Sequence, residues 1–426
     1  MTAVILAGGY GLRMGSVCRS LPKPMLSIGG KPILQWQIEA LSEEGITDFI
    51  LIVGYLHETI MDYFGDGQKF GVHIRYYIEP QPMGTGGALK KLDIADDFLL
   101  LNGDLLFDIS LQPFLDYHFS KSAWITLYAH PNTHPFDSLL LEQDPLSGKI
   151  TACGRNDDHQ DAYPNLCNAG IQIVSPNALA LAEEKKVLSF DRDVLIPNIK
   201  AGHVYAYKNS ECIFDVGTPE RFTAGTSMLT SGSVKKRKFA LPQKAIFLDR
   251  DGTINKYNGL ISEPDALELI PGVAEAIAAF HTLGYLVIVI TNQPVVARGL
   301  CSISELQRIH NRMEMLLGAY GTYVDDIYFC PHHPDKGYPN ENSQYKIPCS
   351  CRKPSPGLIW KAKDHYHIDL RSSYMVGDRS VDVETARNAG CIPVYLRCGV
   401  LEEQPPDVLS FDDLSAFSKY LLEERS

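Results

Sequence analysis

The sequence predicts an α/β protein built from two doubly wound domains, and three observations predict it. The chain has 426 residues, too many for one ordinary hydrophobic core. Short, continuous apolar runs recur and end at glycine or acidic residues, the pattern of buried parallel strands that open onto ligand-bearing turns. Segments of helical periodicity lie between those runs. Composition agrees, since 45% hydrophobic and 21% charged residues are the proportions of a soluble globular chain.

Charge and cysteine usage exclude several classes. A net charge of −12 disfavours nucleic acid as a partner, while anionic metabolites bind in local pockets that net charge does not govern. Ten cysteines without a secretory segment point to a reduced, cytoplasmic chain. The start, Met1-Thr2-Ala3-Val4-Ile5-Leu6, has no basic n-region, and its apolar run is too short for a signal peptide. No run approaches the roughly 18 apolar residues of a membrane span, so no membrane partner is expected. Nothing in the pattern specifies an oligomeric state.

Taken in order, residues 3–7 form an apolar strand, followed by Gly8-Gly9-Tyr10-Gly11-Leu12-Arg13 and, after a gap, Pro22-Lys23-Pro24. Glycines directly after a strand let backbone N–H groups approach a phosphate chain. Arg13 and Lys23 would neutralise that chain, one as a fork and one as a point charge; a tight loop without a ligand is the alternative. No Gly-Lys-Ser/Thr follows, so this is not a P-loop, and Met14 breaks the dinucleotide spacing. Residues 33–41 carry an amphipathic helix pattern, and Phe49–Val53 reads as a second buried strand. Gly84-Thr85-Gly86-Gly87-Ala88 is a second glycine turn. The strand Phe98–Leu101 ends in Asn102-Gly103-Asp104, an aspartate placed as a Mg²⁺ ligand would be.

The run L-A-G-G-x-G-x-R followed by P-K-P resembles the opening signature of the sugar-1-phosphate nucleotidyltransferases, and the likeness extends to about residue 225. It implies a Rossmann-like, GT-A-like domain using a nucleoside triphosphate and a sugar phosphate. Gly8, Gly9, Gly11, Gly84, Thr85 and Gly86 would lie against the nucleotide, and Asn168-Ala169-Gly170 against the sugar, through Asn168 and Gly170. Asp104 and Asp215, the latter in Phe214-Asp215-Val216-Gly217-Thr218-Pro219, would hold Mg²⁺; taken singly, each would more often be a turn or cap residue. Arg13 and Lys23 would be catalytic. A sugar phosphate oxygen attacks the α-phosphorus and pyrophosphate leaves, so positioning, charge neutralisation and metal carry the catalysis. One departure stands out. Many relatives carry Glu-Lys after the strand equivalent to Lys149-Ile150-Thr151-Ala152, whereas this chain reads Cys153-Gly154-Arg155. Arg155 either takes that lysine's place on the sugar phosphate or is a surface residue.

Residues 224–243 read as a linker, small and polar from Gly225 to Ser233 and then basic at Lys235-Lys236-Arg237-Lys238. On a chain of net negative charge a solvated linker accounts for the basic run better than nucleic acid does. The expected organisation is a nucleotidyltransferase domain over 1–230, a linker over 231–242 and a second domain over 243–426.

The second domain opens with the strand Ala245-Ile246-Phe247-Leu248 and then Asp249-Arg250-Asp251-Gly252-Thr253. Two carboxylates two residues apart at a strand end are costly unless a cation or substrate uses them. One can act as nucleophile and metal ligand and the other as proton donor. A helix follows through Val273, Ala276, Ile277 and Phe280, then the strand Leu286–Ile290 with Thr291-Asn292-Gln293 at its end. Cys351-Arg352-Lys353-Pro354 supplies a lysine before a helix, and Tyr374-Met375-Val376-Gly377-Asp378 through Asp382 gives another acidic strand end. The ordered set D-x-D-G-T, T, K, G-D-x-x-x-D resembles the four motifs of the haloacid-dehalogenase-type (HAD-like) phosphatases. The resemblance makes Asp249 the nucleophile and Asp251 the general acid and base. Asp249, the Asp251 carbonyl and Asp378 would hold Mg²⁺, Thr291 and Lys353 would bind the transferring oxygens, and Asp382 would orient the metal shell from behind. The short interval between Asp251 and Thr291 leaves no room for a large cap.

Cys330-Pro331-His332 and Cys349-Ser350-Cys351 offer Zn²⁺ a tetrahedral site from Cys330, His332, Cys349 and Cys351, with His333 as the alternative to His332. Four protein ligands leave no open position, so the role would be structural, tying down the polar loop 334–348. Among these phosphatases, C-P-H…C-x-C-R-K-P is similar to the heptose-1,7-bisphosphate 7-phosphatases and the histidinol phosphatases, and the long 333–348 interval favours the former. Arg352, with Lys353, would then hold the substrate's anionic groups, and Asn292 would line the same site. Joined, the two halves resemble consecutive steps toward a nucleotide-activated heptose, with GTP as the expected nucleotide. Two rivals stay open. One is a mannose- or glucose-1-phosphate nucleotidyltransferase fused to a histidinol-phosphate-type phosphatase. The other makes one domain a non-catalytic regulatory module.

Overall fold

The apolar runs become the centres of two sheets. The computed structural model describes every residue except 12, 13, 15–20, 137, 157–162, 184, 399–404, 425 and 426. The described chain divides into two compact units. The first comprises 1–129, 141–153 and 168–238, and the second comprises 130–140, 154–167 and 239–426. Two short segments of the N-terminal half, 130–140 and 154–167, are thus grouped with the second unit.

In the first unit, Thr2–Leu6 is the central strand, flanked in parallel by Asp48–Val53 and Phe98–Asn102, with His73–Ile78 parallel beyond Asp48–Val53. Ala3, Val4, Ile5, Leu99, Leu100 and Leu101 have no exposed surface, as expected of strands covered on both faces. The sheet is mixed rather than purely parallel, because Cys167–Val174 pairs antiparallel with Phe98–Asn102. The helix predicted over 33–41 runs Ile33–Glu43 and turns Leu34, Ile38 and Leu41 into the core. Its buried Gln37 donates to the carbonyls of Asn102 and Leu105 at 2.9 and 3.0 Å, which fixes the chain on both sides of Asp104.

The stretch read as a linker differs from expectation. Residues Pro219–Thr230 and Ser233–Lys236 are helical, Val234 is buried, and Lys238 bonds Glu44 at 2.7 Å and Asp108 at 3.0 Å. Local polarity made this stretch look solvated, whereas Lys238 finds acidic partners elsewhere in the first unit. The division between the units falls at Lys238 and Phe239.

The second unit has a six-stranded sheet in the order Asp326–Cys330, Leu286–Asn292, Ala245–Leu248, Tyr374–Gly377, Ile392–Leu396, Leu409–Phe411, parallel throughout. Side chains alternate across it with the strand period of two. Ile246 and Leu248 pack with Val273, Ile277 and Phe280, and Ala245 and Phe247 pack with Leu358, Ile359 and Tyr366. Helices therefore cover both faces, and polar chemistry is left to the strand ends. Between Asp251 and Thr291 lie one 3-10 turn at Pro264–Ala266, the helix Val273–Thr282 and the strand that carries Thr291. Among the described residues, no helix is long and apolar enough to cross a membrane.

Candidate active sites

Adjacent strand ends assemble the second unit's site. Asp249 follows Ala245–Leu248, Asp378 follows Tyr374–Gly377, and Thr291 is the last residue but one of the strand Leu286–Asn292. Asp249, Asp378 and Asp382 are all buried, and each offers a carboxylate oxygen within 4.8 Å of the others. Three carboxylates this close repel one another unless cations intervene. One cation lies among them: Lys353 Nζ is 2.8 Å from Asp249 and 2.5 Å from Asp382. Burial alone would lower the Lys353 ammonium, but Asp249 and Asp382 outweigh it and hold the ammonium above its ordinary value. Asp382 is pushed up, first by burial and then by Asp249 and Asp378, against the pull of Lys353. The remaining negative charge fits a divalent cation held by the same oxygens.

The backbone makes room for this cluster at two glycines. Gly252 has φ +87°, and a Cβ there would stand 2.3 Å from Asp378 Oδ2. A Cβ on Gly377 would stand 2.2 Å from Asp382 Oδ2. Gly377→Ala is therefore expected to push Asp382 off Lys353. It should destabilise the second unit by about 1–3 kcal/mol, the usual cost of overpacking. Thermal unfolding of the full chain checks this; an unchanged Tm would show that Asp382 tolerates the displacement.

Asn292 is expected beside the substrate, but its side chain is committed to the chain itself. Its Oδ1 accepts from the Lys353 N–H at 3.0 Å, and its Nδ2 donates to the Lys353 carbonyl at 3.2 Å. It thereby anchors the peptide that carries the lysine. Asp251 turns its carboxylate toward Arg250, Asn255 and Gln293. Asp382, read as standing behind the metal shell, brings a carboxylate oxygen within 4.8 Å of one on Asp249 and one on Asp378. Gln293 and Arg250 escaped the sequence reading, since one looks like a spacer after threonine and the other like a surface charge between two aspartates.

The second ligand group also assembles. Cys330, His332, Cys349 and Cys351 bring one donor atom each within 4.8 Å. The sulfurs stand 3.5 Å (Cys330–Cys349), 3.2 Å (Cys330–Cys351) and 3.2 Å (Cys349–Cys351) apart, and His332 Nδ1 is 3.3 Å from Cys351 Sγ. Those separations are far beyond a disulfide bond and close to the edge of a tetrahedron with metal–sulfur bonds of about 2.3 Å. Cys351 is pulled below the usual thiol range, chiefly by the Cys330 thiol, and the same contact pushes Cys330 up. His333 is not in the group; its Nδ1 accepts from the Asp335 N–H at 3.2 Å. Arg352 Nη1 donates to the His332 carbonyl at 3.1 Å, which ties the ligand loop to the residue beside Lys353.

The first unit's site lies at the carboxyl ends of its parallel strands. A Cβ on Gly8 would stand 2.7 Å from Glu79 Oε2 and 3.2 Å from the Gly54 nitrogen, whereas Gly9 faces open space. Gly8 therefore packs the turn and Gly9 leaves its backbone accessible; Gly11 adopts φ +63°. Arg13 lies outside the described residues. Glu79, missed in the sequence, stands against the Gly8 turn and accepts from the Met83 N–H at 3.1 Å; burial raises its carboxyl. Gly84 has φ +76° and packs on the Leu188 carbonyl, Gly86 N–H donates to that carbonyl at 2.9 Å, and Thr85 Oγ1 accepts from the Phe190 N–H at 2.8 Å. In this structure the second glycine turn is thus held by 188–190.

Asp104 and Asp215 come together through the ribbon Leu105–Asp108/Cys212–Asp215, where the Val216 N–H bonds the Asp104 carbonyl at 2.9 Å. Each carboxylate has its own cation. Lys23, buried on its 3-10 turn, bonds Asp104, and Arg221 bonds Asp215 at 2.9 Å. Asn168 Oδ1 accepts from the Gly170 N–H at 3.0 Å, and Gly170, at φ +82°, packs on Asn102. Arg155 is exposed.

Comparison with known proteins now decides the family. A D-glycero-beta-D-manno-heptose-1,7-bisphosphate 7-phosphatase of Salmonella typhi is 41% identical over 145 residues, which cover 34% of this chain and 75% of the relative. The chain belongs to that heptose-bisphosphate phosphatase family over this span. The HAD-hydrolase-like family model matches residues 350–414, and the Nucleotidyl transferase model matches residues 2–138. The protein is therefore a bifunctional enzyme, a nucleotidyltransferase joined to a heptose-bisphosphate-type phosphatase. Among solved structures, the D,D-heptose 1.7-bisphosphate phosphatase of B. bronchiseptica, complexed with magnesium and phosphate, is 34% identical; the match covers 43% of this chain and 99% of that one, with a TM-score of 0.38. HddC from Yersinia pseudotuberculosis is 26% identical, with coverage of 54% and 99% and a TM-score of 0.46. The Cys/His group begins at Cys330, the last residue of Asp326–Cys330, which pairs with the strand that carries Thr291.

Proposed function

We propose that the second unit removes the 7-phosphate of D-glycero-β-D-manno-heptose 1,7-bisphosphate and that the first unit then joins GMP from GTP to the resulting heptose 1-phosphate, releasing pyrophosphate. The observation that carries this reading is the 41% identity to the Salmonella typhi phosphatase, in a chain whose residues 2–138 match the Nucleotidyl transferase family. The first reaction yields a sugar 1-phosphate, the class of substrate that the second consumes.

In the phosphatase, an Asp249 oxygen attacks phosphorus while the bond to the sugar oxygen breaks. Asp251 protonates that oxygen, then takes a proton from the water that opens the aspartyl phosphate. Thr291 and Lys353 hold the transferring oxygens, and Arg352 an anionic group of the substrate. Mg²⁺, held by Asp249, the Asp251 carbonyl and Asp378, would screen nucleophile from phosphate, with Asp382 supporting from behind. In the transferase, Gly8, Gly9, Gly11, Gly84, Thr85 and Gly86 receive the nucleotide, Asn168 and Gly170 the sugar, and Arg13 and Lys23 the phosphate charge. Asp104 and Asp215 fit a second Mg²⁺.

The test is a product assay on the full chain with heptose 1,7-bisphosphate and each of the four nucleoside triphosphates. Release of phosphate followed by pyrophosphate, with GTP preferred, is expected. Phosphate release with no pyrophosphate from any triphosphate would overturn the coupled reading.

The sulfur and imidazole group fits a structural Zn²⁺. Protein purified without chelator should carry one zinc per chain by elemental analysis, and the Cys349→Ser, Cys351→Ser double variant should lose it. A metal-free wild type ends this assignment.

A further inference from the structure

Both oxygens of Asp251 are held, and the donors come from separate stretches of chain. Arg250 donates Nε and Nη2 to Oδ1 at 3.1 and 2.9 Å, and Nη2 also reaches Oδ2 at 3.0 Å. Asn255 Nδ2 donates to Oδ1 at 3.0 Å. Gln293 Nε2 donates to Oδ2 at 2.8 Å and to Thr291 Oγ1 at 2.9 Å, while its Oε1 accepts from Arg250 Nη2 at 3.0 Å. Arg250 has no exposed surface and Gln293 almost none.

A guanidinium buried this deeply is costly unless its charge is matched, and its ion pair is with Asp251. The fork of an arginine fixes a carboxylate in plane as well as in place. Gln293 closes the ring, linking that carboxylate to the hydroxyl of Thr291. Its two polar ends are both used inside the site, so its position two residues after Thr291 is not that of a spacer.

We infer that Arg250 and Gln293 are positioning residues that hold the Asp251 carboxylate in register with Thr291 for both of its proton transfers. The inference rests on the reading of Asp249 as nucleophile and Asp251 as acid and base. In the first step, the proton of Asp251 goes to the sugar oxygen as its bond to phosphorus breaks and the Asp249–phosphorus bond forms. In the second, water gives a proton to Asp251 as its oxygen bonds phosphorus and the Asp249–phosphorus bond breaks. A displaced Asp251 impairs both steps but leaves attack by Asp249 possible wherever the leaving group needs no proton.

That difference supplies a readout that loss of packing alone would not give. The full chain carrying Arg250→Met should lose about 10²–10⁴ in turnover of heptose 1,7-bisphosphate, the usual worth of general acid–base catalysis, with KM near wild type. With 2,4-dinitrophenyl phosphate, whose leaving group departs unprotonated, the same variant should give a burst of about one dinitrophenolate per chain and then a slow steady state. Asp251→Asn should show the same burst, and Asp249→Asn none. Gln293→Leu should follow Arg250→Met with a smaller loss, and it decides the matter if Arg250→Met fails to fold. If the folded variants lose both substrates in parallel without a burst, or keep wild-type turnover, the positioning role is wrong. If wild type hydrolyses neither substrate, the underlying phosphatase reading fails instead.

Discussion

Asp249→Asn should abolish phosphate release from heptose 1,7-bisphosphate while leaving nucleotidyl transfer to heptose 1-phosphate near the wild-type rate. Asparagine keeps the size of the side chain but lacks the charge that attacks phosphorus, so no aspartyl phosphate forms. Loss of such a nucleophile costs about four to six powers of ten in rate. The local scaffold has reason to survive. Lys353 loses one anionic partner at 2.8 Å but keeps Asp382 at 2.5 Å, and Asn292 still anchors its peptide. Lys23, Asp104 and Asp215 belong to the first unit and are untouched. The variant should therefore make no nucleotide-heptose from the bisphosphate and GTP, yet make it from heptose 1-phosphate and GTP. If it converts the bisphosphate as fast as wild type, the transferase does not need prior dephosphorylation, and the order of steps is wrong.

Asp104→Asn should give the reciprocal pattern. The substitution removes the charge of one of the two expected Mg²⁺ ligands and leaves Lys23 without its anionic partner, so metal binding and phosphate neutralisation should both suffer. Removing one preorganised electrostatic contact costs on the order of 10²–10³ in turnover. Pyrophosphate formation should fall by at least that much, while phosphate release from the bisphosphate continues and heptose 1-phosphate accumulates. The retained phosphatase activity controls for gross unfolding of the chain. Unchanged pyrophosphate release at saturating Mg²⁺ would remove Asp104 from the transferase's metal site.

Much of the second site was legible because its chemistry is concentrated where strands end. A single acid after a buried apolar run could be a turn residue, but Asp249, Thr291, Lys353 and Asp378 follow one another in the order that the resemblance leads one to expect. The Cys/His group was legible for a related reason, since closely spaced soft ligands in a polar stretch are poor core. The first site was less so. Lys23 reads as a phosphate ligand but is buried against Asp104, and Asn292 reads as a substrate contact but holds the Lys353 peptide.

The sequence by itself determined the two α/β units, the elements that carry each motif and the residue types of both candidate centres, because strand and helix periods and turn chemistry are local properties of the chain. Only the tertiary structure decided which partners those residues take. Lys238 looked solvated until folding placed it against Glu44 and Asp108. Asp382 was expected behind the metal shell, and the missing Cβ of Gly377 leaves it room to bond Lys353. Arg250 carried no assigned role in the sequence, and folding buries it against Asp251 and Gln293. The physical reason is the same in each case. A charge can leave water only where another group, distant in sequence, is held in place to match it.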